Sequence, residues 1–328
     1  MITVALFGVG RIGVIHAANL AASPGATLRY IVDPSEGAAR DRAAEHGARV
    51  ATAAEALADA EVQAVVIATS TDTHAGLIEA AARAGKAIFT EKPIDLTLSR
   101  VRACLEVVER EGVLLAVGFN RRFDPSFRAL KHALDEGRIG KPEIVSITSR
   151  DPAPPPVDFI KTSGGLFRDM MIHDFDMARW LLGEEPVAVH AWASCLVDPV
   201  FAELGDVDTA VVSLKTASGA LCQINNSRRA AFGYDQRLEV QGSLGMLRAE
   251  NRRPTSVELL TGDGTLADPP EHFFLERYTD AYRAEMEAFL DAVAGGEGEV
   301  VDGVDGERAL ALAEAAVASL AEGRPVAL

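Results

Sequence analysis

Apolar and polar positions in the first third of the chain predict strands separated by helices. Short apolar runs indicate buried strands. The Ala-rich segments between them are long enough for crossover helices, so we expect a parallel sheet with helices on both faces. The predicted strands cover residues 3–7, 27–32, 63–68, 86–90 and 113–118, and the predicted helices about 11–22, 36–46, 74–84 and 97–110.

From about residue 122 the pattern changes to alternating apolar and polar positions, which is typical of strands with one covered face. Examples are the segments 143–148, 209–214 and 237–241. Two helical segments follow, at about 279–294 and 305–321.

The chain therefore divides into two predicted domains. Its 328 residues exceed the usual size of one domain, about 100–200 residues. Residues 1–121 predict an α/β domain with a doubly wound parallel sheet. Residues 122–328 predict an α+β domain built on a largely antiparallel open sheet, whose core the tail helices close.

Composition and charge exclude several classes of protein. The net charge of −16 repels phosphate backbones, so no nucleic-acid partner is expected. No apolar run approaches the roughly 20 residues of a membrane helix. Met1–Phe7 lacks the cationic start of a signal peptide and is interpreted as the first strand, so a cytoplasmic protein without a membrane partner is expected. Cys104, Cys195 and Cys222 have no metal-binding or disulfide spacing and are expected to be buried.

A glycine motif follows the first predicted strand and opens the first predicted helix. It reads Gly8-Val9-Gly10-Arg11-Ile12-Gly13. Gly8 permits the tight turn, Gly10 lets the backbone approach a pyrophosphate, and Gly13 lets the helix pack closely on the strand. The free N–H groups of this helix start, around Arg11 and Ile12, are expected to face the anion. The motif predicts a dinucleotide-binding Rossmann domain.

Asp33 ends the second predicted strand, 33 − 13 = 20 residues beyond Gly13. A carboxylate at this place can accept hydrogen bonds from the adenosine ribose. It also repels a 2′-phosphate, and the next three residues supply no cation, so the sequence favours NAD over NADP. Arg40 is the nearby cation that could reach a 2′-phosphate. The alternative is that Arg40 is solvated on the helix surface.

Two segments of the chain suggest catalysis. Lys92 follows the fourth long strand, in Glu91-Lys92-Pro93, at the sheet edge where doubly wound folds bind ligands; a solvated loop lysine is the alternative. Asp169 and His173 lie at i and i+4, on one face of a helix beginning near 169, and Asp176 follows at i+7. Histidine is well suited to accept a hydroxyl proton near neutral pH. We expect His173 to be the general base, Asp169 to bind substrate or orient the imidazole, and Lys92 to stabilise negative charge on oxygen.

A divalent metal is the alternative for the carboxylate and imidazole pair, but no second histidine pair accompanies it, so no metal is expected.

These motifs together resemble the Gfo/Idh/MocA oxidoreductases. The likeness rests on the glycine motif, the loop 68–74 and Glu91-Lys92-Pro93. The segments 118–125 and 163–176 are similar to the inositol 2-dehydrogenase branch of that family, and the likeness covers essentially the whole chain. The resemblance implies NAD-dependent oxidation of a secondary hydroxyl of a cyclic polyol, myo-inositol to 2-keto-myo-inositol in the first place.

The resemblance also implies site residues and assembly. Besides the glycine motif and Asp33, it implies cofactor contacts from Thr69, Ser70, Thr71, His74, Glu91 and Lys92. It implies substrate contacts from Asn120, Ser149, Asp151, Asp169, His173 and Tyr234. Some relatives carry His and Asn in place of Ser149 and Asp151, which leaves the preferred stereoisomer open. Relatives commonly form tetramers through the outer face of the second sheet, so a homotetramer is implied.

Other functions remain open at this point. The substrate could be another inositol isomer or an aldose such as glucose. Arg121 and Arg122 could clamp a carboxylated sugar, or pair with acidic side chains instead. Within the same fold, an NAD-dependent glycoside-cleaving enzyme and a regulator without turnover are further alternatives. The set Lys92, Asp169 and His173 argues against a regulator, since a binding module has no use for a general base.

Overall fold

The computed structural model describes residues 1–328 and divides into two compact units. Unit 1 comprises Met1–Phe123 and Ala281–Leu310, and unit 2 comprises Asp124–Asp280 and Ala311–Leu328. The predicted fold class, a doubly wound parallel sheet followed by a largely antiparallel one, is confirmed. No helix has the length and apolar character needed to span a membrane.

Unit 1 contains a six-stranded parallel sheet in the order β3-β2-β1-β4-β5-β6. Its elements up to residue 123 are β1 (Ile2–Phe7), α1 (Arg11–Ala22), β2 (Ala26–Val32), α2 (Glu36–His46), β3 (Arg49–Val50), α3 (Ala53–Ala58), β4 (Ala64–Ile67), α4 (Thr71–Arg83), β5 (Ala87–Glu91), α5 (Leu98–Glu111), β6 (Leu115–Gly118) and a 3₁₀ turn (Asn120–Phe123). Every residue of β4 and β6 is buried, because helices cover both faces of a parallel sheet.

Two elements of unit 1 were not predicted. The strand β3 has only two residues, too few for a periodic pattern. The helix α3 is short, but a capping box marks its start: the Thr52 side chain accepts from the Glu55 N–H, and the Glu55 side chain accepts from the Thr52 N–H.

The chain returns to unit 1 near its end, which differs from the predicted division at residues 121 and 122. Helix α12, identified here as Thr279–Val293, places Met286, Phe289 and Leu290 in the same buried cluster as Val4 of the sheet. Burying a side chain of this size stabilises by about 1.5–3 kcal/mol. The apolar face of α12 therefore packs into the hydrophobic core of unit 1.

Unit 2 contains a seven-stranded sheet in the order β12-β11-β7-β10-β9-β8-β15, in which only β7 and β10 pair in parallel. The remaining elements in chain order are α6 (Pro125–Asp135), β7 (Pro142–Arg150), α7 (Val157–Ile160), α8 (Leu166–Asp169), α9 (Ile172–Leu182), β8 (Pro186–Ser194), α10 (Val200–Glu203), β9 (Thr209–Thr216), β10 (Leu221–Ser227), β11 (Asp235–Gly242), β12 (Gly245–Ala249), β13 (Glu258–Thr261), β14 (Gly264–Ala267), α11 (Phe274–Arg277), α12, α13 (Gly303–Glu322) and β15 (Val326–Ala327).

One face of the second sheet is covered and the other is not, as the alternation predicted. Along β8, Val189 and Ala191 are buried, whereas Trp192 is 57% exposed. Leu221 and Ile144, directly paired between β10 and β7, are exposed as well. This uncovered surface is called the outer face below.

Candidate functional site

The glycine motif of unit 1 forms a tight loop between β1 and α1. A Cβ on Gly8, whose φ is +92°, would lie 2.4 Å from the Ala68 carbonyl oxygen, and one on Gly13 would lie 2.1 Å from the Gly8 oxygen. A Cβ on Gly10 would meet no atom within 4 Å. Gly8 and Gly13 are thus required by packing, while the backbone at Gly10 is open to a ligand, as a pyrophosphate needs.

Asp33 connects the end of β2 to this loop. Its Oδ2 accepts from the Val9 N–H at 2.8 Å, and its Oδ1 accepts from the Ser35 N–H at 2.8 Å. Arg40 lies on the exposed surface of α2, with Nη1 3.4 Å from Glu36 Oε2. The Asp33 carboxylate beside the loop would repel a 2′-phosphate, and Arg40 is paired with Glu36. These two features fit NAD better than a cofactor with a 2′-phosphate.

The turn that carries Lys92 is held by two buried histidines of unit 1, one on α1 and one near the start of α4. His16 Nε2, fully buried on α1, lies 2.7 Å from Glu91 Oε1. His74 Nδ1 lies 2.8 Å from the Pro93 carbonyl oxygen, and its Nε2 lies 3.1 Å from that of Thr69. The ring of His74 therefore connects the loop after β4 to the turn after β5, and both lie at the carboxyl edge of the sheet.

The other predicted contacts of unit 1 lie along the same edge. Ser70 is exposed and Thr69 and Thr71 are half-buried at the start of α4. Asn120 is buried in the 3₁₀ turn. Arg122 pairs with Asp305, with two N···O distances of 3.1 Å, so this arginine is engaged by an acid, as one alternative held.

In unit 2 a buried arginine connects two of the predicted substrate residues. Arg228 is 5% exposed; its Nη2 donates to Asp169 Oδ2 at 2.8 Å and its Nη1 donates to Asp151 Oδ2 at 3.0 Å. Burial by itself lowers the pKa of the guanidinium, but the charges of Asp169 and Asp151 outweigh it and raise the pKa above its ordinary value. Arg228 is therefore a permanent cation between two carboxylates.

The segment before His173 differs from the predicted continuous helix. Asp169 is the last residue of the short helix α8, and His173 is the second residue of α9. The His173 N–H points to the Met170 oxygen, three residues back, at 3.4 Å, and not to Asp169. The helical path is thus tightened between the two residues.

Asp206 holds the start of α8. Its Oδ1 accepts from the Leu166 N–H at 3.0 Å. Gly165 has a φ of +86°, a conformation that favours glycine, and a Cβ there would also lie 2.8 Å from the same Asp206 oxygen. The position of Asp169 therefore depends on a carboxylate that sequence reasoning did not single out.

The other acidic residues near His173 have structural partners. Asp174 is buried and accepts from Asn226 Nδ2 at 2.8 Å. Asp176 is also buried, with Arg179 Nη1 3.9 Å from its Oδ1. Asp176 is therefore a packed residue of α9. No group of three or more His, Cys, Asp or Glu side chains is arranged to hold a metal ion.

Ser149 and Tyr234 are both buried. The Ser149 hydroxyl donates to Gln236 Oε1 at 3.0 Å, and Tyr278 OH donates to the same oxygen at 3.2 Å. The ring of Tyr234 packs edge-on against Tyr278, with centroids 6.0 Å apart. Their roles toward substrate stay predictions.

The cysteines are only partly as expected. Cys104 and Cys222 are buried, but Cys195 is half-buried, because it lies on an exposed connection after β8, with its Sγ donating to the Asp206 oxygen at 3.3 Å.

Comparison with known proteins covers both units. A family described as an oxidoreductase family with an NAD-binding Rossmann fold matches residues 2–119, and the GFO/IDH/MocA C-terminal domain matches residues 127–248. The chain is 55% identical to an inositol 2-dehydrogenase of Rhizobium meliloti over 98% of both chains. It is 48% identical to a myo-inositol 2-dehydrogenase of Thermotoga maritima over 99% of this chain and 98% of the relative.

A solved myo-inositol dehydrogenase from Corynebacterium glutamicum superposes with a TM-score of 0.96 at 44% identity, covering 100% of this chain and 99% of the other. Sequence likeness and backbone likeness thus extend over the same full length. The chain therefore belongs to the GFO/IDH/MocA family of oxidoreductases, whose N-terminal domain is an NAD-binding Rossmann fold.

Proposed function

We propose that this protein is an NAD-dependent dehydrogenase that oxidises a secondary hydroxyl of a cyclic polyol, with myo-inositol converted to 2-keto-myo-inositol. The observation that carries this proposal is the full-length similarity to inositol dehydrogenases, 55% identity in the relative from Rhizobium meliloti. The candidate catalytic residues Lys92, Asp169 and His173 are all present in the chain.

The residues of unit 1 fit NAD. The open backbone at Gly10 and the free N–H groups of the first turn of α1 accommodate a pyrophosphate. The Asp33 carboxylate, which is half-buried and fixed to the loop, would accept from ribose hydroxyls. Thr69, Ser70, Thr71, His74 and Glu91 would complete the cofactor site at the same sheet edge. The chemistry that NAD supplies when bound is acceptance of a hydride.

The protein's own side chains handle the proton and the charge. His173 accepts the proton of the substrate hydroxyl, which makes release of hydride from the carbon favourable. Lys92 stabilises the negative charge that develops on that oxygen, and Asp169 is a fixed hydrogen-bond acceptor near the substrate.

The substrate site of unit 2 suits an uncharged polyol. Ser149, Asp151 and Tyr234 supply donors and acceptors in the proposal, and an uncharged polyol needs no salt bridge from the protein. A site built to hydrogen-bond hydroxyl groups rejects analogues that lack them, since its own polar groups are then left unpaired.

An assay with purified protein, NAD and a panel of inositols, aldoses and glycosides tests the function. Reduced cofactor, followed by its absorbance, should accumulate fastest with myo-inositol. Faster turnover of another isomer or of glucose would move the activity to that substrate. Product formation without net reduced cofactor would indicate a glycoside-cleaving enzyme, and no turnover of any compound would overturn the dehydrogenase proposal in favour of a regulator.

Assembly and location belong to the same proposal. We infer a homotetramer that packs through the outer face, where Trp192, Leu221 and Ile144 are exposed, because apolar surface of this kind marks interfaces. The hairpin β13–β14 exposes further leucines. We place the enzyme in the cytoplasm, in polyol catabolism; its three unpaired cysteines fit a reducing compartment.

A further inference from the structure

Arg228 is a buried charge of unit 2 to which the proposed reaction gives no role. It follows β10, Asp151 follows β7, and these two strands are parallel neighbours in which Ser227 pairs with Arg150. The Asp151 N–H also donates to the Ser227 oxygen at 3.0 Å. The arginine and this aspartate therefore stand side by side just beyond the sheet.

The backbone of Arg228 is held in place by a hydrogen bond, whereas helix α8, which its side chain contacts, is not stable by itself. The Arg228 N–H donates to the Asp208 oxygen at 2.8 Å, which anchors the residue to the chain just before β9. Helix α8 has only four residues, too few to form without tertiary contacts. The bond from Arg228 Nη2 to Asp169 ties the end of this helix to the sheet.

We propose that Arg228 is a positioning residue for the reaction, holding the carboxylates of Asp169 and Asp151 in fixed orientations. The role rests on the proposed function, because the orientation of Asp169 affects turnover only if Asp169 contacts the substrate. With Oδ2 of Asp169 bound to a permanent cation, this carboxylate is an acceptor and not a proton carrier, and the proton goes to His173.

The fork of the guanidinium is what the role requires. Two nitrogens of one planar group reach two carboxylates from different elements, whereas a lysine ammonium is a single point charge on a flexible stem. Arg228→Lys therefore keeps the charge and loses the geometry. Arg229→Lys is the matched control, since this neighbour is exposed and its Nη2 donates only to the Leu196 oxygen at 3.2 Å.

The test is a double-mutant cycle on turnover of the polyol. Arg228→Lys should lower kcat about 10- to 100-fold, as expected when a reacting group is misplaced by about 1 Å, with KM for NAD unchanged. In an Asp169→Ala background the same change should cost less than about threefold, because the carboxylate through which Arg228 acts on turnover is already removed. Arg229→Lys should match the wild type. Equal losses in both backgrounds, or full activity of Arg228→Lys, would overturn the proposal.

Chemical rescue covers the case in which Arg228→Lys folds poorly. In Arg228→Ala, added guanidinium at millimolar concentration should restore part of kcat, and ammonium at the same concentration should not. Absence of rescue in a folded variant contradicts the positioning role. If the wild type is active and the Arg228 variant is unaffected, only this proposal is refuted. If the wild type is inactive on every substrate, the proposed function and this role are refuted together.

Discussion

The carboxylate of Asp33 accepts a hydrogen bond from the backbone N–H of Val9, so the end of β2 and the glycine loop form one structure. Asp33→Asn keeps an acceptor for this N–H and removes the charge that repels a 2′-phosphate. We expect the preference for NAD over NADP, measured as the ratio of kcat/KM values, to fall about 10-fold or more. A tenfold change corresponds to about 1.4 kcal/mol of lost discrimination.

Glu106→Gln is the control, since it removes an exposed carboxylate on α5 that contacts neither the glycine loop nor Arg40. It should leave the ratio unchanged. An unaltered ratio in Asp33→Asn would show that another group sets the cofactor preference.

His173 is predicted to be the general base. His173→Ala should lower kcat at neutral pH by about 10²–10⁴, the range for losing such a group. The residual rate should rise with pH, as hydroxide replaces the imidazole. His132→Ala removes an exposed histidine of α6 and should have no effect. A loss of only a few fold in His173→Ala would move the role to Lys92 or to water.

Asp208 should make the free energy of unfolding depend on pH. Its carboxylate accepts from the N–H groups of Leu196, Val197 and Asp198. Burial raises the pKa of Asp208, but these hydrogen bonds outweigh it and hold the pKa below its ordinary value of 3.8. Because the folded pKa lies below the unfolded one, this stability is present above about pH 4 and is lost as the pH falls through the folded pKa.

Asp208→Asn should therefore destabilise by about 2–3 kcal/mol at neutral pH, as expected for losing hydrogen bonds to a charged group. The difference from the wild type, followed by urea unfolding, should shrink in acid. Asp263→Asn, in an exposed turn, is the control and should show no change. A difference that stays constant with pH would contradict the assignment.

The buried thiols should resist alkylation in the native state. Burial raises the pKa of Cys104 to about 12 and also raises that of Cys222, so little thiolate forms at pH 8. Mass spectrometry after iodoacetamide treatment should find modification only at half-buried Cys195, and slowly, because burial raises its pKa as well. In urea all three should react. Rapid native labelling of Cys104 would show that α5 opens readily.

The outer face should determine the oligomeric state. Trp192 packs on His190, with ring centroids 3.8 Å apart, and is largely exposed within one chain. Trp192→Asp should place a charge in the proposed interface and reduce the sedimenting mass toward that of a smaller species. Val50→Asp, on an exposed edge of unit 1, should leave the mass unchanged. A wild type that sediments as a monomer would refute the tetramer.

How far sequence reasoning reached depends on how local each signal is. The βαβ pattern and the glycine motif were read correctly, because hydrophobic period and steric limits of a turn involve only neighbouring residues. The helix predicted to start at residue 169 was wrong in its boundary, since a contact from Asp206 sets the start of α8. The capping box at Thr52 was a local signal that could have identified α3.

The sequence by itself determined the two fold types, the dinucleotide loop with Asp33, and the residue types able to accept a proton and to stabilise charge on oxygen. Only the tertiary structure decided that Arg228 holds Asp169 and Asp151, which lie 59 and 77 residues away along the chain. It likewise decided that α12 packs into the first core. The physical reason is that partners of a buried charge, or of an apolar helix face, are chosen by chain topology, which no local pattern of residues encodes.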